Sequence, residues 1–530
     1  MKHWIRQYAF TLGLLALFAA SFALFVYLTN TNTFADPDSF YHVKLAEDIA
    51  QGKNIKNFPW LPFTVLNDYY TDQHFLYHVI LVPFVQALGT FPGAKVATTL
   101  IASTLITFFA FMLRSMKIRY PIVHGFLLLT AMPFIFRINL VKAPGFSILI
   151  LLVGLLFAWR QNRIGIFLTA FLYVWAYGGF VLLPVFVIIL ESMRLLNTWW
   201  VESAWLKSRH MRIRIDWPAF FRRLISKREV QIITLVIVGT GLGILSNPFF
   251  PANLSYLNDQ LIQIGIVNYQ SVIQVGGEWY PYDFMQLAAN TVILSILVVG
   301  AVCWGAVKFR SISLRTWFTF FLYLFFLAFT LKSRRYVEYY APFGMLFVAS
   351  AYSDCLVGTD LRKFFKVVMS KVSTVMAAAG LIAYAAIAIS FVVPRDALSV
   401  KKDFSNGFRY DLGKGASEWL KNNTPEGSIV VHSSWDEFPY LFYWNDHNRY
   451  IAGLDPTFSY RKDPSQYQKW VDFTLGKYDG DVSNLVFYDF DSRYVFVRSG
   501  HDAMTHDIEA DGAFVKVYED ADATVYALTQ

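Results

Sequence analysis

The chain has 530 residues, 55% hydrophobic and 18% aromatic, but only 16% charged, where a soluble protein would carry about a quarter charged residues. That shortfall excludes an ordinary soluble enzyme. Charged residues return at normal density only beyond residue 394, which divides the chain into a large membrane domain, 1–393, and a soluble domain, 394–530. The net charge of +8 does not mark a nucleic-acid binder, because the basic residues sit in short loops between apolar runs, where they set membrane orientation. With two cysteines, Cys303 and Cys355, there is no disulfide framework.

From the N-terminus, MKHWIRQ precedes an apolar run, Tyr8 to Leu28, that is long and lacks a small-residue cleavage site, and reads as an uncleaved first span. Further runs at 94–113, 120–136, 144–158, 164–176, 178–193, 229–246, 285–306, 314–331, 336–354 and 372–393 predict about eleven transmembrane helices in all. The run 75–90 is ambiguous, being short and holding His78 and Pro83. If it lies in the interface instead of crossing, the basic loops 114–119, 159–163, 308–315 and 360–366 fall on one side. The basic segment 194–228 (Arg209, Arg212, Arg214, Arg222, Arg223, Lys227, Arg228) and the N-terminal Lys2 and Arg6 join them. The positive-inside rule favours this threading and makes that side cytoplasmic. The opposite, extracytoplasmic face then receives loop 30–93, the turn 137–143, loop 247–284, the turn 332–336 and the soluble domain, with the plasma or inner membrane as the expected location.

Loop 30–93 opens with Asp36-Pro37-Asp38-Ser39-Phe40-Tyr41-His42, followed by an amphipathic helix over 43–52. Two carboxylates and an imidazole at a membrane exit can act as general base, metal ligand or binder of substrate hydroxyls. Equally, Asp38 or Ser39 can be a solvated N-cap of the helix.

An acidic pair directly after the first span, followed by an aromatic and a His, resembles the GT-C superfamily of membrane glycosyltransferases. The wording DPDSFYHVKLAE looks most like the catalytic subunit of oligosaccharyltransferases. The stretch Asp72-Gln73-His74-Phe75-Leu76-Tyr77-His78 is similar to the end of the first loop in protein mannosyltransferases and lipid A aminoarabinose transferases, where a juxtamembrane helix precedes the second span. The resemblance implies a polytopic α-helical GT-C-like membrane domain with a C-terminal mixed α/β domain. It also implies a polyprenyl-phosphate or -diphosphate sugar donor and a glycan, lipid or protein acceptor. Asp36 is then the catalytic base or acceptor-activating carboxylate, supported by Asp38, with His42 and His74 binding substrate.

Farther along, Arg137 and Lys142 place cations on the face where the positive-inside rule disfavours them; a phosphate held at the interface would explain both, and snorkelling helix-end side chains are the alternative. Oligosaccharyltransferases would show a second acidic motif in this region, and it is missing here. Gly276-Gly277-Glu278-Trp279-Tyr280 precedes a span; its aromatics suit interfacial anchoring, whereas a carboxylate near membrane depth is costly without a role. By the resemblance, Glu278 occupies roughly the place of an acceptor-binding glutamate. Lys332-Ser333-Arg334-Arg335-Tyr336 adds three cations on the same face, of which Arg334 or Arg335 faces the site.

Beyond Asp411, GKGASEWLKNN predicts a helix, and SIVVHSS, NLVFYDF, RYVFVRS and FVKVYED predict strands, a mixed α/β pattern. Trp435-Asp436 resembles a weakened form of the oligosaccharyltransferase tryptophan–aspartate signature. Two versions of the chemistry follow. In one a single sugar leaves a monophosphate without metal; in the other an oligosaccharide leaves a diphosphate with Mg2+ or Mn2+ held by Asp36, Asp38 and Glu278. The rival reading is a non-catalytic transporter or scaffold of envelope glycan assembly. Against a transporter, the charges gather in loops at one face and not at midplane.

Overall fold

The computed structural model describes residues 2–53, 55–208, 227–356 and 386–529, with short pieces between 375 and 383. Among the described residues, five helices are long and apolar enough to cross a membrane: Tyr8–Thr29, Thr90–Ser115, Gly178–Thr198, Arg228–Leu245 and Leu314–Lys332. Two bent pairs raise the number to seven if each is one span, namely Pro121–Leu128 with Met132–Ile138 and Phe284–Asn290 with Val292–Val307. Such helices make the chain an integral membrane protein. The expected runs at 144–158 and 164–176 form shorter apolar helices, Pro144–Trp159 and Arg163–Ala176. Arg209, Arg212, Arg214, Arg222 and Arg223, the loop 360–366 and parts of the run 372–393 lie outside the described residues.

The basic loops meet at one end of the bundle. Arg160 donates to Ser115 Oγ at 2.8 Å, Arg315 to the Met116 carbonyl at 2.9 Å, and Arg119 to the Leu356 carbonyl at 2.9 Å. Arg228 and Arg194 reach the Gln161 and Ala158 carbonyls. Guanidinium groups here satisfy carbonyls left open where helices end.

At the other end the chain builds a second core. β1 (Thr33–Phe34), just past the first helix, pairs antiparallel with β2 (Phe408–Arg409), so the segment entering the C-terminal region is stitched to the first loop. Gly407 allows this contact, since a Cβ there would fall on the Phe34 carbonyl oxygen. The first loop and the C-terminal region then share one apolar core: Phe58 stacks on Tyr70 at 4.5 Å and Trp60 packs on Phe442 at 4.8 Å. The Trp60 indole donates to the Asp446 carbonyl at 2.8 Å, and Lys44 pairs with the Asp446 carboxylate at 2.9 Å.

The C-terminal region is a five-stranded mixed sheet in the order β4-β3-β5-β7-β6, with β3 Ile429–His432, β4 Arg449–Tyr450, β5 Ser492–Arg498, β6 Phe514–Glu519 and β7 Ala523–Leu528. β3 is parallel to β4 and to β5, and helices cross between them, as parallel pairing requires. The expected helix at GKGASEWLKNN forms as Lys414–Asn423, but the expected strand at NLVFYDF does not form; Leu485–Asp489 is a helical turn. Its buried residues Val482, Leu485, Val486 and Phe490 recur at helical and not alternating spacing.

Candidate active site

Between the two cores lies a cavity of about 970 Å³, lined by Asp36, Asp38, Lys142, Glu278 and Arg335 among others. Asp36 Oδ1 accepts the Asp38 N–H at 3.0 Å, a side-chain-to-backbone turn that starts the helix Asp38–Ala50. Asp38 is therefore the first helical residue and neither it nor Ser39 is the N-cap, which is Pro37. One helical turn on, His42 shares its face.

Lys142 does not snorkel. Its Nζ lies 3.1 Å from Asp36 and 2.8 Å from Asp38, bridging the two carboxylates. Burial raises the Asp38 carboxyl, Lys142 opposes that and the Asp36 charge adds to it, leaving the group pushed up to about 6.

Arg137 reaches the cavity because its span is broken. Pro133, in the first turn of Met132–Ile138, has no N–H with which to continue the preceding helix, and the two halves meet at 82°. Arg137 donates to Glu278 at 2.5 Å and to Glu338 at 3.0 Å. Of the two loop arginines, Arg335 lines the cavity. It lies 3.4 Å from Glu278, donates to the Tyr177 hydroxyl at 3.1 Å, and sits 4.2 Å over the Trp279 ring. Arg334 turns away and caps the Pro281 carbonyl. Ser333 Oγ donates to the Glu278 carbonyl and the Arg334 N–H to that of Tyr280, so loops 277–281 and 333–336 are held as one unit. Burial would raise the Glu278 carboxyl, but Arg137, Arg335 and Lys142 outweigh it and hold the group well below the usual carboxylate range.

These contacts bear on a divalent ion at Asp36, Asp38 and Glu278. The first two share the Lys142 ammonium and the third is held by two guanidinium groups. A cation of charge two would have to enter beside Lys142, so the three carboxylates do not fit the metal set expected of them. Nor are Arg137, Lys142 and Arg335 free, since each already faces a carboxylate.

Sequence reasoning missed Glu338, Tyr177 and Arg498. Glu338 is buried in the helix Val337–Cys355 beneath Arg137, and Arg498, on β5, lines the cavity and pairs with Asp436. Trp435 also lines the cavity, against Gly276. His74 and His42 stand together: their rings are 5.0 Å apart, His74 lies 5.4 Å from the Tyr177 ring, and His42 Nδ1 is 2.7 Å from His78 Nε2. Burial, reinforced by their neighbours' positive charge, lowers both His42 and His74 well below the usual imidazole range.

Neither a protein-family model nor a curated protein matches the sequence. Solved structures match in fold. The oligosaccharyltransferase AglB of Archaeoglobus fulgidus, in complex with an inhibitory peptide and a dolichol-phosphate, aligns at a TM-score of 0.61 and 14% identity over 99% of this chain and 75% of that one. The apo form of an Archaeoglobus fulgidus oligosaccharyltransferase aligns at 0.56 and 14% identity, over 98% and 74%. ArnT from Cupriavidus metallidurans, bound to undecaprenyl phosphate, aligns at 0.52 and 14% identity, over 99% and 98%. The resemblance to GT-C membrane glycosyltransferases read in the DPDSFYH segment thus extends, as similarity of fold, over nearly the whole chain.

Proposed function

We propose that this protein transfers a sugar from a polyprenyl-phosphate-type donor to an acceptor at the extracytoplasmic membrane face, and that it does so without a divalent ion at its cavity carboxylates. The observation that carries this reading is Lys142 bridging Asp36 and Asp38 at 3.1 and 2.8 Å in the same cavity that Arg335 enters. An ammonium supplies there the positive charge that a metal would otherwise provide, and this favours the monophosphate version of the chemistry.

Asp36 takes the proton of the acceptor hydroxyl as its oxygen attacks the anomeric carbon. The bond from that carbon to the phosphate oxygen breaks, and negative charge collects on the leaving phosphate. Lys142 and Arg335 neutralise it, a task for fixed cations more than for a nucleophile. Asp38 shares Lys142 and so sets how strongly that ammonium holds Asp36. Glu278 keeps Arg137 and Arg335 in place.

The cavity walls support the assignment of ends. Phe325 and Phe329 on one candidate span and Leu182 and Val185 on another line one side, and Val185 is also exposed on the helix surface. Apolar lining contributed by two candidate spans suits a prenyl chain. Trp435, Asp436 and Arg498 of the C-terminal region, which also line the cavity, offer polar contacts for an acceptor. In this reading about eleven spans cross the membrane. The basic loops lie in the cytoplasm and the region from 394 onward lies outside.

The test is transfer from radiolabelled polyprenyl-phosphate sugars by purified full-length protein in lipid, comparing wild type with Asp36→Asn. A general base contributes about a hundredfold to ten-thousandfold, so transfer should fall at least a hundredfold with unchanged thermal stability. Transfer that survives the substitution would remove Asp36 from the chemistry. Restoration of chelator-treated enzyme only by Mg2+ or Mn2+ would refute the Lys142 reading.

A further inference from the structure

We propose that His42, His74 and His78 form a three-nitrogen site for a zinc-class divalent cation, with Asp72 as its orienting carboxylate and one coordination position open to the cavity. The site stands apart from the Asp36–Lys142 pair, and binding there is independent of whether sugar is transferred. The three imidazoles offer ring nitrogens that all lie within 4.8 Å of one another, the one such group among the described residues. Their placement follows from local structure. His74 and His78 are four residues apart at the start of the helix Phe75–Leu88, and so share a face. His42 comes from the helix Asp38–Ala50, which packs against it.

Asp72 supplies the second observation. Its Oδ1 accepts the His74 N–H at 2.9 Å and fixes the helix start, while its Oδ2 lies 2.7 Å from His78 Nδ1. A carboxylate on Nδ1 holds the proton there and leaves the lone pair on Nε2, the atom that faces His42 at 2.7 Å. Carboxylate–histidine pairing of this kind is what orients imidazole ligands at metal centres.

His42 and His78 are almost wholly enclosed, at 3% and 0% exposure. Buried imidazoles this close need a shared proton or a shared cation. His42 and His74 line the cavity whereas His78 lies behind them, so the fourth position of a tetrahedral ion points into the cavity. Three nitrogens and no carboxylate in direct contact select zinc, or cobalt in its place, over magnesium or calcium, which seek oxygen. An ion there would polarise an oxygen entering beside Asp38, one helical turn from His42.

The experiment uses the full-length protein in detergent, with any purification tag removed, stripped with chelator and titrated with Zn2+ or Co2+. About one equivalent should bind, and Co2+ should give the intense visible bands of a four- or five-coordinate nitrogen site. His42→Gln with His74→Gln should abolish both signals, and Asp72→Asn should weaken binding about 10- to 100-fold. His74→Gln alone, at the least buried of the three positions, keeps the test valid if the double variant fails to fold, and should itself lose the Co2+ bands. If wild type binds no more metal than the variants, or Co2+ shows only a weak octahedral spectrum, the three rings are a hydrogen-bonded cluster and the proposal fails.

Discussion

The two ends of the helical bundle both gather cations, and they use them in opposite ways. At one end Arg119, Arg160, Arg194, Arg228 and Arg315 donate mainly to hydroxyls and carbonyls at helix ends, with Glu191 and Asp354 the carboxylates in contact. At the other, Arg137, Lys142 and Arg335 meet Asp36, Asp38, Glu278 and Glu338, carried by segments far apart in the chain. Capping a helix requires no precise alignment and works at a wet surface. Bringing three cations and four carboxylates out of water is costly unless every group is matched. Such an arrangement is retained where function needs it, so the cavity end, not the end richer in loop cations, is where substitution should tell.

The largest effect should come from Lys142→Met. It removes the one cation among the described residues within 4 Å of both Asp36 and Asp38 and leaves two carboxylates facing each other. Loss of one electrostatic stabiliser is worth about a hundredfold to a thousandfold, and steady-state transfer should fall by at least that, mainly in kcat. A smaller loss would mean that Lys142 serves only to hold the loop. Arg335→Ala comes next. A charge-assisted hydrogen bond is worth about 1.5–3 kcal/mol, so transfer should drop about tenfold to a hundredfold, with much of the loss in KM for the lipid donor. Arg335→Lys should recover little, because the guanidinium sits over the Trp279 ring while bonding Tyr177 and Glu278.

The same contrast explains what could be read in the sequence. Apolar runs and loop charge were enough to anticipate a polytopic helical membrane protein and the gathering of basic loops, because both are local properties of the chain; among the described residues five to seven candidate spans stand where about eleven were expected. Asp36, Asp38, Arg137, Lys142, Glu278 and Arg335 stood out as charges in unusual places, and all six line the cavity. Their pairing was not legible, since Lys142 meets Asp36 across a sequence gap that no local pattern spans. The loop cations were expected to stand open for phosphate; Arg137, Lys142 and Arg335 each face a carboxylate instead, and Arg334 caps a carbonyl. Glu338 was hidden because one acid at the start of an apolar helix looks like a favourable end charge. His78 was visible in the Asp72–His78 stretch, but nothing in the sequence pairs it with His42. Its role emerges only once the helix Asp38–Ala50 brings His42 to it.

A change of pH should sharpen the comparison. Asp38, pushed up to about 6, is ionised above that value and protonated below it. Once protonated it releases its share of Lys142, which then bonds Asp36 alone and opposes proton uptake from the acceptor. Transfer should therefore rise with pH to a plateau above about 6, and fall about tenfold per unit below it as a single proton is gained. In Asp38→Asn the side chain is neutral at every pH, so that step should vanish and leave a lower, flatter profile. An acid limb that persists unchanged in the variant would assign it to another group.

The smallest effect is expected at the other end, and it is the one that could break the comparison. Arg119 lies at an exposed turn and donates to the Leu356 carbonyl. Replacing it with alanine removes one solvent-accessible hydrogen bond, and surface changes of this kind stay within about 0.5 kcal/mol. Transfer by Arg119→Ala should remain within about twofold of wild type on that basis, with the thermal midpoint almost unmoved. In the proposed orientation its positive charge is one cation among many at that end, and so dispensable for insertion. A loss matching that of Arg335→Ala, in protein that inserts and folds normally, would mean that the basic end is coupled to the cavity through the helices between them. The matched charges around Lys142 would then be half of a longer device, and the division between an orienting end and a reacting end would have to be given up.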